Sequence, residues 1–259
     1  MKVAHTVPNH MLGYVKKHGY HLALAQHVIN DPAYAYTYTA LHANDAFIIL
    51  DNGEAEMNSG EITKRIPFGA VVAAADKIGA DEICMPDVFR DAEATLDLID
   101  NSGAWGMVEP RRRMFIPQGE GPEEWMECLT LMARHWECRS FGIPKHMERW
   151  RYDGLNKGRE TLCECIEKEG LHKMFDFHLL GVWNDPRAEI LPIATHYPWV
   201  RGLDTGIAFA YAQYKPPLHL TEYTGEHVAL EWDPRFDYDH NLAIYNMIQL
   251  EKWANAHKD

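Results

Sequence analysis

Three aspartates and a glutamine each close a short apolar run, and their side chains suit chemistry at a glycosidic carbon. They are Asp51, Asp87, Asp204 and Gln118. In glycosyl transfer with retention, one carboxylate attacks the anomeric carbon and a second manages a proton, through a covalent intermediate. Side-chain amides can form hydrogen bonds with the edge of a heterocyclic base. Because an aspartate at a strand end often only caps the next helix, the order of these residues along the chain carries more information than their types.

The apolar runs predict the elements that position these side chains. They are short, rich in Val, Ile, Leu and Phe, and they alternate with segments of helical periodicity. This is the pattern of buried parallel strands joined by crossover helices, and it predicts an α/β fold of the (β/α)8 TIM-like barrel type. An eighth strand has no clear position. The seven predicted strands are Lys2–His5, Ala46–Leu50, Glu82–Met85, Arg113–Pro117, Ser140–Ile143, Phe177–Val182 and Val200–Leu203.

The remaining segments predict helices and an irregular cover within a single domain, residues 1–259. The segment 214–239 is rich in Pro, His, Glu and Tyr without a clear period, and we expect it to cover the barrel. The carboxyl ends of barrel strands converge on one face, where the chemistry is done. The predicted helices are Tyr20–Asn30, Arg90–Asn101, Pro122–His135, Arg159–Glu169, Pro186–Thr195 and a closing helix, Asp239–Ala256.

Charge and cysteine content restrict the class of protein. The formal net charge of −13 argues against nonspecific coating of nucleic acid, which depends on Lys and Arg. Five scattered cysteines and a polar amino-terminal segment predict a cytoplasmic protein with reduced thiols and no membrane segment. A local basic surface has three candidates: Arg111 to Arg113, Lys145 with Arg149 and Arg151, and Lys157 with Arg159.

In order and spacing, six strand ends resemble those of the tRNA-guanine transglycosylase superfamily. Residues 48–53 resemble its strand ending in Asp-Ser-Gly-Gly, although Asn52 replaces the serine and Glu54 the second glycine. The other five segments are 81–87, similar to the strand whose aspartate holds the guanine edge; 115–119, similar to the Gln-Gly motif; 141–143, similar to the Gly-Leu pair; 178–182, similar to the Leu-Met-Gly-Val strand; and 202–205, similar to the strand of the nucleophile.

The resemblance implies an activity and a role for each residue. Asp204 is then the nucleophile that displaces guanine from a nucleotide, Asp51 is the general acid/base, and a 7-deazaguanine base enters. The residues implied in substrate binding are Asp87, Gln118, Gly119, Gly142, Ile143 and Gly181.

One departure from the tRNA enzymes concerns zinc. Those enzymes carry a zinc subdomain with three cysteines and a histidine after the nucleophile, whereas this chain has no cysteine beyond Cys165. Cys163, Cys165 and His172 are weak candidates that fall short of the usual four ligands, so we expect no cofactor.

The missing subdomain favours the short phage and bacterial enzymes that insert 7-deazaguanines into DNA. The expected partner is therefore DNA, in the cytoplasm of a bacterium or phage-infected cell, with an accessory protein or a homo-oligomer as a source of basic surface. The target base must be flipped or single-stranded. Four tryptophans are candidates for stacking on this base, with packing in the core as the alternative: Trp136, Trp150, Trp183 and Trp199.

Three other functions remain open at this point. The first is a tRNA-directed enzyme of the same superfamily. The second is a glycoside hydrolase or a metal-dependent hydrolase on a similar barrel, in which His5 and His10 join Asp51 and Asp204 as ligands. Without a His-x-His pattern at the end of the first strand, His5 is expected to line the pocket or form a hydrogen bond instead. The third is a binding module without activity.

Overall fold

Eight parallel strands form one sheet that curls into a nearly closed barrel. The computed structural model describes residues 1–60, 62–152, 155–182, 185–213, 219–220, 230, 232–233 and 235–256. The strand order is β1-β10-β9-β6-β5-β4-β3-β2, and each neighbouring pair is parallel. The expected TIM-like barrel is confirmed. Its strands are β1 (Lys2–His5), β2 (Tyr20–Leu24), β3 (Phe47–Asp51), β4 (Glu82–Cys84), β5 (Arg113–Phe115), β6 (Ser140–Pro144), β9 (Asp176–Leu180) and β10 (Val200–Thr205), while β7 (Arg151–Tyr152) and β8 (Leu155–Asn156) form a separate hairpin.

Helices alternate with the strands and cover the outside of the barrel. Four of them begin at an aspartate whose carboxylate accepts a backbone N–H of the first turn, which satisfies a donor that the helix itself leaves free. The α-helices are α1 (Ala25–Asn30), α2 (Pro32–His42), α3 (Glu54–Ser59), α4 (Phe68–Ile78), α5 (Ala92–Ser102), α6 (Ala104–Met107), α7 (Pro122–His135), α8 (Gly158–Lys168), α9 (Pro186–His196), α10 (Ile207–Ala212) and α11 (His240–Ala254). Short 3₁₀ helices span Asn9–Tyr14, Pro110–Arg112, Lys145–Arg149 and Leu171–Lys173.

The second strand corrects the prediction of a helix that starts at Tyr20. Residues Tyr20–Leu24 pair with β3, and the helix begins only at Ala25. Leu24 ends the strand and is also the N-cap of α1, so no turn residue separates the two elements. Tyr20, Leu22 and Leu24 pack inside the barrel, whereas Ala23 packs in the layer between strands and helices. Both faces are buried, and this hides the period of two that marks a strand.

The barrel has one seam without a strand ladder. β1 and β2 contact each other, yet no hydrogen-bonded pairing joins these two described strands. The seam is therefore held by side chains and by the helices that pack over it. α11 packs on β1 from outside.

A bulge in β10 makes Gly202 and Asp204 face the interior of the barrel. Val200 pairs with Phe177 and Gly202 with His178, so Arg201 is an extra residue in β10. A Cβ atom at Gly202 would lie 2.7 Å from the Tyr20 ring and 2.9 Å from the carbonyl oxygen of Lys2, which requires glycine there. Because strand residues two apart share a face, Asp204 also points inward.

Most of the predicted cover, 214–239, lies outside the described residues. Its described members include Leu230 and Trp232, which line the cavity at the top of the barrel. In the described part of the chain, no helix is both long and apolar enough to cross a bilayer.

Candidate active site

A cavity of about 490 Å³ lies at the carboxyl ends of the barrel strands. Five of the residues predicted to act there line it together: Asp51, Asp87, Gln118, Gly181 and Asp204. They come from five different strands or the loops that follow them. This is the face on which TIM barrels carry their active sites, and it brings three carboxylates and an amide within reach of one ligand.

Three other predicted binding residues lie beside the cavity without lining it. A Cβ atom at Gly142 would lie 2.5 Å from the Leu180 side chain, so Leu180 packs directly against the backbone of Gly142. The carbonyl oxygen of Ile143 accepts a hydrogen bond of 2.6 Å from Arg159 on the far side of the strand. Gly119 packs against the first turn of α7, and a Cβ atom at Gly119 would lie 2.8 Å from the backbone nitrogen of Trp125.

Two rigid donors orient the carboxylate of Asp204. The Gly181 N–H donates to Oδ1 at 3.0 Å, and Nε2 of His178 lies 3.1 Å from the same oxygen. Gly181 has a φ of +66°, a conformation that favours glycine. Both hydrogen bonds described for this carboxylate go to Oδ1, so Oδ2 has no hydrogen bond among those described.

A buried chain of hydrogen bonds continues from His178 to the opposite end of the barrel. Nδ1 of His178 lies 2.8 Å from the Tyr20 hydroxyl, which accepts a bond of 3.2 Å from Nε of Arg201. Arg201 in turn binds both oxygens of Glu82, at 2.6 and 2.5 Å. Burial lowers the pKa of His178, so its imidazole is neutral. The bond directions then agree: Tyr20 donates to Nδ1, and Nε2–H donates to Asp204.

Asp51 sits at the end of β3 as a carboxyl group that keeps its proton up to about pH 6. Desolvation raises its pKa to about 6, and the negative charge of Asp204 adds to the effect. The Gly53 N–H donates to Oδ2 at 3.0 Å and holds the side chain in place. A group with a pKa close to the working pH is suited to accept and return a proton.

Asp87 is held between two amides. Asn52 donates to Oδ1 at 2.8 Å, and Gln118 donates to Oδ2 at 2.6 Å. Burial is the main cause that raises the pKa of Asp87 to about 7. Asn52 also donates to the Met85 carbonyl oxygen at 2.8 Å, and the oxygen of Gln118 accepts the Arg90 N–H at 2.9 Å. Asn52 therefore holds the carboxyl group of Asp87 in place.

Glu54, which follows Asp51-Asn52-Gly53 in the sequence, forms an ion pair at the cavity wall. Both of its oxygens accept bonds from Arg65, at 2.9 to 3.2 Å. The same guanidinium donates to the Asp87 carbonyl oxygen at 3.1 Å. The sequence gives no period or motif that connects Arg65 with this site, because it lies in an irregular segment between α3 and α4.

His146 is a cavity residue that the sequence did not single out. It is 3% exposed, and among the described atoms its Nε2 has no hydrogen-bond partner. Burial, with the charges of Arg90 and Arg159, lowers its pKa to about 4, so the imidazole is neutral. The Gly119 carbonyl takes a hydrogen bond from the ring. The second nitrogen, Nε2, is then a buried acceptor on a residue that lines the cavity.

Arg159 fixes the strand ends that frame the cavity, and the prediction that it belongs to a basic surface is wrong. The side chain is fully buried and pairs with Glu189. Beyond its bond to Ile143, it donates to the carbonyl oxygens of Pro144 at 3.1 Å, Leu180 at 2.5 Å and Gly181 at 2.7 Å. One guanidinium thus connects the end of β6 with the end of β9. The next residue after β9 is Gly181, whose N–H donates to Asp204.

Of the three predicted basic clusters, the one at Lys145 and Arg149 reaches the cavity. Arg112 pairs with Asp76 at 2.8 Å. Arg113 is buried and donates to the backbone before β5, at the other end of the barrel from the cavity.

The predicted tryptophans lie elsewhere in the described part of the fold. Trp136 and Trp199 pack behind the strands, on Phe115 and Phe177, and Trp150 is partly exposed beside α7. Trp183 is outside the described residues. Trp232, which was not predicted, lines the cavity and packs against His27 in a tilted arrangement, with ring centres 4.2 Å apart.

Metal-ligating side chains converge outside this cavity. Among the described residues, one group of three such side chains has ligand atoms within 4.8 Å of one another: His5, His18 and Glu251. None of them lines the cavity. Of the two expectations for His5, the pocket position is wrong, and the hydrogen bond is confirmed as a contact with Glu251. Cys163, Cys165 and His172 are all described and are not brought together in this way.

Comparison of the sequence with models of protein families gives no match, and comparison with curated protein sequences gives none either.

Proposed function

We propose that this protein exchanges guanine in DNA for a 7-deazaguanine base through a covalent bond between Asp204 and the nucleotide. The observation that carries the proposal is the convergence of Asp204, Asp51, Asp87 and Gln118 on one cavity of about 490 Å³. A cavity of this volume accommodates a base and its sugar. The motifs at the strand ends resemble those of the tRNA-guanine transglycosylases in their order along the sequence, and this resemblance leads to the same chemistry.

Asp204 attacks the anomeric carbon with Oδ2. The bond from this carbon to N9 of guanine breaks while the bond to the carboxylate forms, and the electron pair leaves with the purine. His178 and Gly181 hold Oδ1 during this step, so the nucleophile has lost its rotational freedom before the substrate arrives.

The leaving purine gains negative charge, which the cavity neutralises. Asp87, with a pKa raised to about 7, can present a proton to the base, and Gln118 lies beside it. Asp51, with a pKa raised to about 6, gives a proton to the departing guanine and takes the N9 proton of the incoming base, so its own protonation state is restored. N9 of the incoming base then attacks the same carbon and releases Asp204, so one glycosidic bond is lost and one is made.

Two features bear on the polymer. Lys145 and Arg149 line the cavity and supply the positive charge that a phosphate backbone needs. The absence of the three-cysteine motif found in the tRNA enzymes favours DNA. The formal net charge of −13 predicts weak and strongly salt-dependent binding of duplex by the chain alone, consistent with a single-stranded target or a partner that brings further basic surface.

The experiment is nucleoside mass spectrometry after incubation of the purified protein with a 7-deazaguanine and either DNA or tRNA. We expect the modified nucleoside in DNA with the wild type and not with Asp204→Asn. Incorporation into tRNA alone would keep the chemistry and change the polymer. If guanine is released without incorporation of a base, the protein is a hydrolase. If neither polymer is altered by any 7-deazaguanine, the proposal fails.

The metal-dependent hydrolase has less support from the geometry. The described group suited to a metal ion lies outside the cavity, and the cavity carboxylates are used in hydrogen bonds with backbone, histidine and amides. Treatment with a chelator separates the two functions, because base exchange by Asp204 persists without a metal ion.

A further inference from the structure

Three side chains from distant parts of the chain meet on the outside of the barrel seam. His5 is the last residue of β1, His18 lies just before β2, and Glu251 belongs to α11. Since Ala4 packs inside the barrel, the next residue, His5, points outward toward the helix. Nε2 of His5 and Nδ1 of His18 each lie 3.2 Å from Oε1 of Glu251.

These distances fit a metal centre. Zinc binds histidine nitrogens and carboxylate oxygens at about 2.0–2.2 Å in tetrahedral geometry, which separates neighbouring ligand atoms by about 3.3 Å. All three ligand atoms lie within 4.8 Å of one another. The side chains of His18 and Glu251 are 27% and 39% exposed, so a fourth position faces solvent.

We propose that His5, His18 and Glu251 form a site for a divalent transition-metal ion of the zinc type, which clips the open seam of the barrel. β1 and β2 have no strand ladder between them, and the two histidines belong to these two sides of the seam. Glu251 adds α11, 246 residues away from His5 in sequence. The ion would therefore bond three segments that the sheet leaves without a direct connection.

The surroundings support a preformed site. Nε2 of His21 lies 2.7 Å from the carbonyl oxygen of His18 and fixes the backbone there. His5 is almost fully buried in a strand, and Glu251 lies in the last turn of a helix of 15 residues, so neither of these two ligands is on a loop. The role of the ion is structural, because none of the three residues lines the cavity with Asp204.

Cobalt and zinc titrations test this site without reference to catalysis. After dialysis against a chelator, the full chain is titrated with Co²⁺ and its visible d–d absorption recorded, and thermal unfolding is measured with and without ZnCl₂. We expect one equivalent of Co²⁺, displaced by Zn²⁺, and a higher Tm with zinc. Glu251→Gln keeps the shape of the side chain and should weaken Co²⁺ binding at least tenfold and remove the Tm shift.

The control is His135→Gln, at the exposed carboxyl end of α7, which should bind Co²⁺ as the wild type does. Hydrogen bonds from both imidazoles to Glu251 produce the same distances without an ion. Failure of the wild type to take up Co²⁺ at 100 µM, or equal uptake by the wild type and Glu251→Gln, would therefore overturn the proposal. Circular dichroism of each variant confirms that a loss of binding is not a loss of folding.

Discussion

Asp204 and His178 are joined by a bond of 3.1 Å between Oδ1 and Nε2, on two neighbouring strands of the barrel. This bond is the upper end of a chain of buried donors and acceptors that runs through Tyr20 to the ion pair of Arg201 and Glu82. The position of the candidate nucleophile is thus determined by the interior of the barrel together with the Gly181 N–H directly after β9.

The first prediction concerns His178 as a positioning residue. His178→Phe fills the same space but removes the donor to Asp204, and a hydrogen bond to a charged group contributes about 1.5–3 kcal/mol. We expect kcat for base exchange to fall about 10- to 100-fold while KM for the polymer stays within a factor of about two. Tyr20→Phe, one bond further away, should have a smaller effect in the same direction. Steady-state kinetics check both variants, and an equal rise in KM would point to a structural defect instead.

The second prediction concerns stability and the pKa of Asp51. The folded protein keeps this proton up to about pH 6, whereas an unfolded aspartate loses it near 3.8. Between these values the folded state binds more protons, so the free energy of unfolding falls as the pH rises. A shift of about two units corresponds to ~3 kcal/mol at most. Asp51→Asn should therefore raise the Tm by a few degrees at pH 8 and lose this advantage below pH 4.

The control for that experiment is Asp97→Asn, on the exposed face of α5. Its Tm should follow the wild type at both pH values. A Tm of Asp51→Asn below that of the wild type at pH 8 would show that the carboxyl group of Asp51 is not destabilised by burial.

The third prediction concerns the bulge at Arg201. Gly202→Ala would place a methyl group 2.7 Å from the Tyr20 ring, and the crowding should cost about 1–3 kcal/mol of folding free energy. Because Tyr20 contacts His178, exchange activity should fall as well. Gly69→Ala is the matched control, since its Cβ would meet nothing within 4 Å in α4. Urea unfolding should show Gly69→Ala equal to or more stable than the wild type.

The fourth prediction concerns the free nitrogen of His146. His146→Phe retains an aromatic ring beside Phe89 but removes the buried acceptor of a residue that lines the cavity. We expect KM for the incoming base to rise about tenfold, as for the loss of one hydrogen bond, with KM for the polymer unchanged. The readout is the exchange rate at varied base concentration. No change in this KM would mean that the nitrogen does not contact the base.

The sequence predicted the barrel and the convergence of its polar strand ends, because buried parallel strands produce apolar runs whose ends meet on one face. It missed β2, since Leu24 joins the strand directly to a helix and both faces of the strand are buried. The bulge at Arg201 leaves no local pattern. It is a property of how β10 pairs with β9.

Predicting individual contacts was harder than predicting strand ends. Asp51, Asp87, Gln118 and Asp204 follow strands and could be found by position. His146 lies in a 3₁₀ turn, and Trp232 lies in an irregular segment. Such residues line the cavity because of the conformation of the loops, and neither periodicity nor composition predicts that conformation.

The most direct measurement is a search for the covalent intermediate on Asp204. The protein is incubated with a single-stranded oligonucleotide that contains one guanine, without an incoming base, and is then denatured, analysed by intact mass and digested for peptide mapping. We predict an adduct of the oligonucleotide minus guanine on the peptide that carries Asp204, absent in Asp204→Asn and discharged when a 7-deazaguanine is added before denaturation. Base exchange that continues in Asp204→Asn, or an adduct that maps to another residue, would contradict it.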